Sequence, residues 1–298
     1  MSKKMNTIKK IQVYIEKNLN SNITLKNISE ISGYSPWHTE RLFKEIIGKN
    51  LFCYIRDLRL SKAALKLRDN KIKVIDIAFD FVFDSPEGFT RAFSKKFGIS
   101  PKKYSKKPEP IELFIPYLAY EKKSKNKGEI NMEKDVKAIF VQIIERPERK
   151  ALILRGKKAK KYFEYCEEVG CDVWGVLTSV KEALYEPIGM WLPDNMIKEG
   201  TSKYVQGVEV PLNYNNKIPE GYELITLKPC KMMVFQGEPY EDENFNEAVS
   251  EVMEKIDKFD PEIYGYKWNY ESDPSFQLAP MGYRGYIEAR PVKEKNKS

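Results

Sequence analysis

The sequence has 298 residues, with 51 Lys+Arg against 43 Asp+Glu and a formal net charge of +8. That length suits about two domains of the usual ~100–200 residues. No apolar run approaches the ~18 residues of a membrane span. The start, MSKKMNTIKKIQ, lacks the apolar stretch of a secretory signal, so none is expected. Cys53, Cys166, Cys171 and Cys230 form no C-x-x-C pair, which argues against a disulfide framework or a zinc site and points to a reducing, cytoplasmic setting. The single histidine, His38, excludes a His-rich metal centre and leaves one candidate base for Ser-His or Cys-His catalysis. No cofactor is implied, and any enzyme would have to work with carboxylates, tyrosines or lysines.

The charge is unevenly spread. Residues 1–110 hold 23 Lys+Arg and 11 Asp+Glu, a net of +12, whereas residues 111–298 hold 28 and 32, a net of −4. Fourteen of 18 tyrosines and three of four tryptophans lie beyond residue 110. A basic module followed by an acidic, aromatic-rich one predicts one polyanion partner and one other ligand.

In chain order, Ile8, Ile11, Ile15 and Leu19, then Leu25, Ile28 and Ile31, follow helical spacing. A pattern then occurs twice. ITLKNISEISGYSPWHTERLFKEIIGKNLFCY at 23–54 matches IKVIDIAFDFVFDSPEGFTRAFSKKFGISPKKY at 72–104, at an offset of 49 before the turn and 50 after it. Each copy reads as helix, tight turn, helix. Ser35-Pro36 and Ser85-Pro86 place an N-cap serine before a first-turn proline. Leu42, Phe43 and Ile46 form one apolar stripe, and Phe89, Phe93 and Phe97 the other. Opposite them lie Trp37, Glu40, Arg41 and Lys44, and in the second copy Glu87, Thr90, Arg91 and Ser94. Polar groups on the first turns of such a second helix suit major-groove reading. YIRDLRLSKAALKLRD joins the copies as a helical segment, which suits successive grooves about 34 Å apart.

GYSPWHTERLFKEIIG followed by FDSPEGFTRAFSKKFGISPKKY resembles the AraC/XylS transcription regulators over residues 6–108. The resemblance implies two helix-turn-helix motifs in one chain and double-stranded DNA as partner. It makes Trp37, Glu40, Arg41, Glu87, Thr90 and Arg91 the base-facing positions. Lys44, Lys49, Lys95 and Lys102 become phosphate contacts with salt-sensitive affinity. His38 stands beside Trp37 as a phosphate or base contact, or as a packed surface histidine. One departure is Val82, which occupies the place of Gly33 in the first copy, where the family usually has glycine. A β-branched residue disfavours φ > 0, so the second turn is expected to be reshaped and its helix tilted.

Residues 109–135 read as a linker, with Pro-rich and Lys-rich parts and an apolar LFIPYLAY lying against one of the domains. Beyond it, runs such as ALILRG, YVQGVEVPL and KMMVFQG predict an α+β domain at 136–298, after an all-α double helix-turn-helix domain at 1–108. Weak self-similarity divides the second domain into two β-rich halves. PERKALILRG matches PCKMMVFQG, GMWLP matches YKWNY, and GVEVPL matches YIEARPV, so that Glu209 corresponds to Glu288. Each half has a helical insertion, at 158–184 and 243–258.

Over residues 136–293 this arrangement is similar to the gyrase-inhibitor-like effector-binding domains. That resemblance implies a small amphipathic, often cationic and aromatic effector held between rings with a carboxylate counter-ion. The aromatic candidates are Trp191, Tyr204, Trp268, Tyr270, Phe276 and Tyr283. Where the family usually has a glutamate on the strand before an Asp-Pro, this chain has Trp268 and Asn269. Glu209 and Glu288 are the remaining strand carboxylates, as counter-ions or as solvated edge residues. The expectation is a DNA-binding regulator, not an enzyme, working as a monomer or weak dimer away from membranes and acting on DNA affinity or on RNA polymerase recruitment. The alternatives are a second domain that docks a protein, or one that is a carboxylate-assisted hydrolase of reactive small molecules.

Overall fold

A computed structural model describes residues 3–116, 138–170 and 172–295. The chain divides into two compact units, Met1–Asn131 and Met132–Ser298. Among the described residues, no helix is long and apolar enough to cross a membrane.

The first unit is all-α. Its helices are α1 (Lys3–Lys17), α2 (Leu25–Ser32), α3 (Pro36–Ile47), α4 (Leu51–Asp69), α5 (Val74–Asp80), α6 (Pro86–Phe97) and α7 (Pro101–Lys106). The caps explain the boundaries. Thr24 forms a reciprocal capping box with Asn27 at the start of α2. Ser35 accepts from the His38 amide at 3.4 Å and Ser85 from the Gly88 amide at 3.0 Å, each before a first-turn proline. Gly48 and Gly98 end α3 and α6 in the left-handed conformation.

Helix α4 serves both halves. Leu51, Tyr54, Ile55 and Leu58 close one core with Ile8, Ile11, Ile15, Leu42 and Phe43. One turn further on, Leu60, Ala63, Ala64 and Leu67 close a second core with Ile77, Phe89 and Phe93. Its 19 residues span about 28 Å at 1.5 Å each. Residues 111–114, read from sequence as linker, belong to this packing. Ile111 and Leu113 are buried in the second core, and the Phe114 amide donates to the Ser61 hydroxyl at 2.7 Å. Residues 117–135 of the expected linker lie outside the described residues, as does Cys171.

The second turn accommodates valine without giving up the left-handed conformation. Val82 takes φ +58, close to the +71 of Gly33, so the left-handed residue is kept, but the turn around it is reshaped. Phe81 caps the helix in place of the left-handed residue, and the Val82 amide donates to Phe79 O where that of Gly33 donates to Ser29 O. The Phe83 amide donates to Ala78 O at 2.9 Å, whereas the equivalent Tyr34 amide donates to Ser32 Oγ at 3.0 Å.

Among the described residues, the second unit is one nine-stranded antiparallel sheet with three α-helices. The strands are β1 (Ile139–Arg146), β2 (Arg149–Arg155), β3 (Ile188–Trp191), β4 (Tyr204–Val210), β5 (Tyr222–Leu227), β6 (Cys230–Gly237), β7 (Tyr266–Trp268), β8 (Ser275–Leu278) and β9 (Ile287–Glu294). Their order is β1-β6-β9-β8-β3-β4-β2-β5, with β7 beside β9. Two halves are thus evident, β5-β2-β4-β3 and β1-β6-β9-β8, joined through β3 and β8. Helices α8 (Tyr162–Val169) and α9 (Val173–Ser179) cover the first half, through Tyr165, Val173 and Leu177 against Leu152, Tyr204 and Val208. Helix α10 (Phe245–Asp257) covers the second, through Val252 and Ile256 against Met233, Phe235 and Tyr286.

The register revises two sequence equivalences. The partner of the Trp191 strand across the seam is β8, not the strand that carries Trp268, which lies beyond it as β7. Gln206 pairs with Gly189 and Leu154, as Glu288 pairs with Gln277 and Phe235, so the counterpart of Glu288 is Gln206 rather than Glu209.

Glu209 points to the opposite face, into a buried ionic cluster. Arg149 Nε donates to Glu209 Oε1 at 2.7 Å, its Nη2 to Asp273 Oδ1 at 3.3 Å, and its Nη1 to Lys228 O at 2.9 Å. Arg146 Nη1 lies 3.3 Å from Glu209 Oε2, with its guanidinium 3.5 Å over the Tyr185 ring. Burial pushes the Asp273 carboxyl up to about 6, outweighing Arg149, and pushes the Cys230 thiol up to about 11.

Val82→Gly relieves roughly 1–2 kcal/mol of left-handed strain and returns part of it as the added freedom of the unfolded chain, roughly 0.5–1 kcal/mol. The melting transition of the first unit therefore rises; an unchanged or lowered transition contradicts the strain. Arg149→Met leaves Glu209 and Asp273 buried without their main partner and lowers the stability of the second unit by about 3–5 kcal/mol. Urea titration followed through that unit's tryptophans measures it.

Candidate nucleic-acid interface and ligand site

On α3 the predicted reading face is open to solvent. Trp37 is 67% exposed, and Glu40, Arg41 and Lys44 are exposed beside it. The Arg41 guanidinium lies 5.4 Å from the Trp37 ring centroid, an i,i+4 cation–π pair that holds both side chains on one face. With the start of α4, including Phe52 and Cys53, these residues line a groove of about 930 Å³. His38 is half-buried with its ring 4.6 Å from that of Tyr34, so it packs against the preceding turn.

Helix α6 offers the matching face: Glu87, Arg91 and Lys95 are exposed and Thr90 is half-buried. Lys102, on α7, is exposed as well. Lys49, the remaining expected phosphate contact, is partly exposed and already paired. Its ammonium bonds Asp57 Oδ2 at 2.6 Å and sits 4.4 Å from the Phe114 ring centroid, tying α4 to residue 114. Lys96 approaches the same carboxylate at 3.7 Å.

In the second unit the register aligns a row across the centre of the sheet: Leu154, Gln206, Gly189, Gln277, Glu288 and Phe235. Residues directly opposite one another in an antiparallel sheet project to the same side. Leu154 packs in the α8/α9 cluster and Phe235 in the α10 cluster, so the polar middle of the row faces the helical side. Tyr204 lays its hydroxyl over Gly189, where a Cβ would come within 2.0 Å of it. That hydroxyl accepts from Gln277 Nε2 at 3.1 Å. Tyr286 donates to Gln277 Oε1 at 3.0 Å or to Glu288 Oε2 at 2.9 Å. Burial raises the pKa of both tyrosines, so each stays a neutral phenol.

Glu288 ends the row in an ion pair. Arg290 Nε donates to its Oε1 at 2.9 Å, Nη2 to Asp257 Oδ1 at 2.9 Å, and Nη1 to Tyr270 OH at 3.4 Å. Burial works against the Arg290 charge, but Glu288 and then Asp257 outweigh it and hold the guanidinium protonated. The Trp268 ring stacks on Tyr270 at 5.6 Å and 23°. Trp191 meets Tyr204 edge-on at 5.3 Å and donates its indole N–H to Lys160 O at 2.9 Å.

Of the predicted ligand residues, Trp191, Tyr204, Trp268, Tyr270 and Glu288 therefore form one chain of contacts. Three do not join it. Glu209 is held by Arg149 on the other face. Phe276 lies in the core of that face with Arg146 5.5 Å from its ring. Tyr283 is 79% exposed on a short 3-10 turn. Sequence reasoning missed Gln206, Gln277, Tyr286 and Arg290. The available signal was Tyr-Val-Gln at 204–206 against Tyr-Ile-Glu at 286–288, an offset three residues longer than the one used.

Residues 28–107 match the family described as "Helix-turn-helix domain". The right origin-binding protein of Escherichia coli (strain K12) is 40% identical over 102 residues, 34% of this chain and 35% of that protein. The chain thus matches about a third of the length of that relative. The HTH-type transcriptional activator AarP of Providencia stuartii is 42% identical over 97 residues, 33% of this chain and 72% of that protein. The multiple antibiotic resistance protein MarA of Salmonella typhimurium is 39% identical over 98 residues, 33% of this chain and 77% of that protein. Capped twice over and matched across most of two short relatives, the N-terminal unit makes this chain a member of the AraC/XylS family of helix-turn-helix transcription regulators, here with a second, β-rich unit following it.

Proposed function

We propose that the chain is a one-component transcription regulator whose first unit reads two successive major-groove segments and whose second unit senses a small molecule. The observation that carries the first half is the pair of exposed faces on α3 and α6, each behind a serine cap and each tied to one end of α4. Arg41 and Arg91 are the base-reading arginines, because a guanidinium matches the paired acceptors of guanine. Lys44, Lys95 and Lys102 are phosphate contacts, while Lys49 acts through the position of residue 114. The relatives named as transcriptional regulators support this use of the unit.

The second half rests on the buried polar row between α8/α9 and α10, with aromatic rings at both ends. A hydrolase built on Glu288 has less support, because that carboxylate is already occupied by Tyr286 and Arg290. Binding of the effector alters DNA affinity or the recruitment of RNA polymerase.

A preferred site selected from a randomised duplex library provides the test. Arg41→Ala and Arg91→Ala should each weaken binding to it by about 1–3 kcal/mol and relax preference at separate positions. Lys44→Ala should weaken all sequences alike and reduce the salt slope by about one. Unchanged affinity in both arginine variants sinks the groove assignment.

A further inference from the structure

The polar row contains one charge pair and one buried amide that makes no well-formed hydrogen bond among the described residues. Glu288 is 3% exposed and has Tyr286 on one oxygen and Arg290 on the other. Arg290 in turn spans Glu288, Asp257 of α10 and the Tyr270 hydroxyl, with the Trp268 ring stacked behind Tyr270. A carboxylate beside aromatic rings is the arrangement that attracts an organic cation. Here a guanidinium already fills that place. A second cation would meet Arg290 at close range in a poorly solvated site, where like charges repel strongly.

At the other end of the row the position is reversed. Gln206, in the symmetry-related place, is fully buried, and neither its Oε1 nor its Nε2 has a hydrogen-bond partner among the described residues. Its amide lies close enough to the Tyr204 hydroxyl to act on that phenol, yet neither amide atom reaches hydrogen-bond geometry with it. A buried carboxamide with both functions free is costly, and a ligand that offers an acceptor next to a donor removes that cost. Trp191 and Tyr204 supply ring surface on the same side. The two ends together define a ligand that is flat, uncharged and edged like an amide.

We propose that Arg290 is the resident counter-ion of this row, so that the second unit selects a neutral planar ligand with an amide-type edge, read by Gln206, and rejects organic cations. This rests on the small-molecule reading of the second unit given above. It assigns Arg290 and Gln206 as specificity-determining residues.

Two probes with the same ring system separate the alternatives: quinolin-2(1H)-one, neutral with an N–H beside a carbonyl, and N-methylquinolinium, a cation without that edge. Each is titrated into the full chain by calorimetry, with far-UV circular dichroism checking the fold of every variant. The wild type should bind the quinolinone at least about tenfold more tightly than the quinolinium. Gln206→Met, which changes no charge, should lose roughly tenfold for the quinolinone. Arg290→Met should gain roughly tenfold for the quinolinium, and the double variant Glu288→Gln/Arg290→Met should not.

A wild type that prefers the quinolinium overturns the resident-counter-ion assignment and leaves the small-molecule reading standing. A folded Arg290→Met that gains nothing for the cation overturns it too. If Arg290→Met does not fold, the wild-type preference and Gln206→Met decide. If neither ring binds any of the folded proteins, the small-molecule reading falls and this proposal with it.

Discussion

The two halves of the second unit meet through four paired residues of β3 and β8, and the tightest point of that seam is the Tyr204 hydroxyl over Gly189. No side chain fits at 189 without displacing the phenol. With the phenol in place, its oxygen accepts from Gln277, whose own carbonyl side is met by Tyr286, whose neighbour is Glu288, which holds Arg290. The polar row is therefore a consequence of a close approach, and its order follows from which strand needs a glycine. Because the two halves differ there (glycine on one side, glutamine on the other), a nearly symmetric sheet acquires two chemically unlike ends. One end is an ion pair and the other an unpartnered amide.

The first unit solves the same problem with a helix. Two half-cores must share an element, and α4 gives Leu51 to Leu58 to one and Leu60 to Leu67 to the other. A helix buried along much of its length on different sides has no single apolar stripe, which is why α4 reads weakly as amphipathic although it is the longest element of the unit. Its stiffness fixes the distance between the two reading helices. That distance is the quantity a duplex with grooves about 34 Å apart can select.

Much of this organisation was legible in the sequence because local chemistry decides it. Ser-Pro starts, glycine stops and phenylalanine stripes are signals within one turn of helix, so α3 and α6 were readable along with their exposed faces. Val82 keeps a positive φ against its own propensity because a single residue does not override a core already fixed by Ile77, Phe89 and Phe93, and the turn around it changes instead. The second unit was legible as two β-rich halves but not in register. In a strand the face alternates with every residue, so an equivalence wrong by three residues moves a carboxylate to the other side of the sheet. That is what separates Glu209, held by Arg149 among buried charges, from Glu288 on the helical face. The long-range ion pairs that distinguish them join residues 60 and 124 positions apart, beyond any periodicity argument.

If the second unit senses a ligand as proposed, the charge partition has a thermodynamic consequence for its coupling to DNA binding. Phosphate contacts release counter-ions, so DNA affinity falls steeply as salt is raised. In the proposed reading, binding of an uncharged ligand to a row whose ions are already paired releases none, and its affinity stays nearly level over the same range. An effector changes DNA affinity only through its difference in affinity for the DNA-competent and incompetent states, and the same factor applies in reverse. Salt therefore moves one equilibrium while leaving the intrinsic ligand affinity almost alone. Any salt dependence that appears in effector binding to the DNA-bound chain must come from the coupling itself, which makes ionic strength the variable that isolates it.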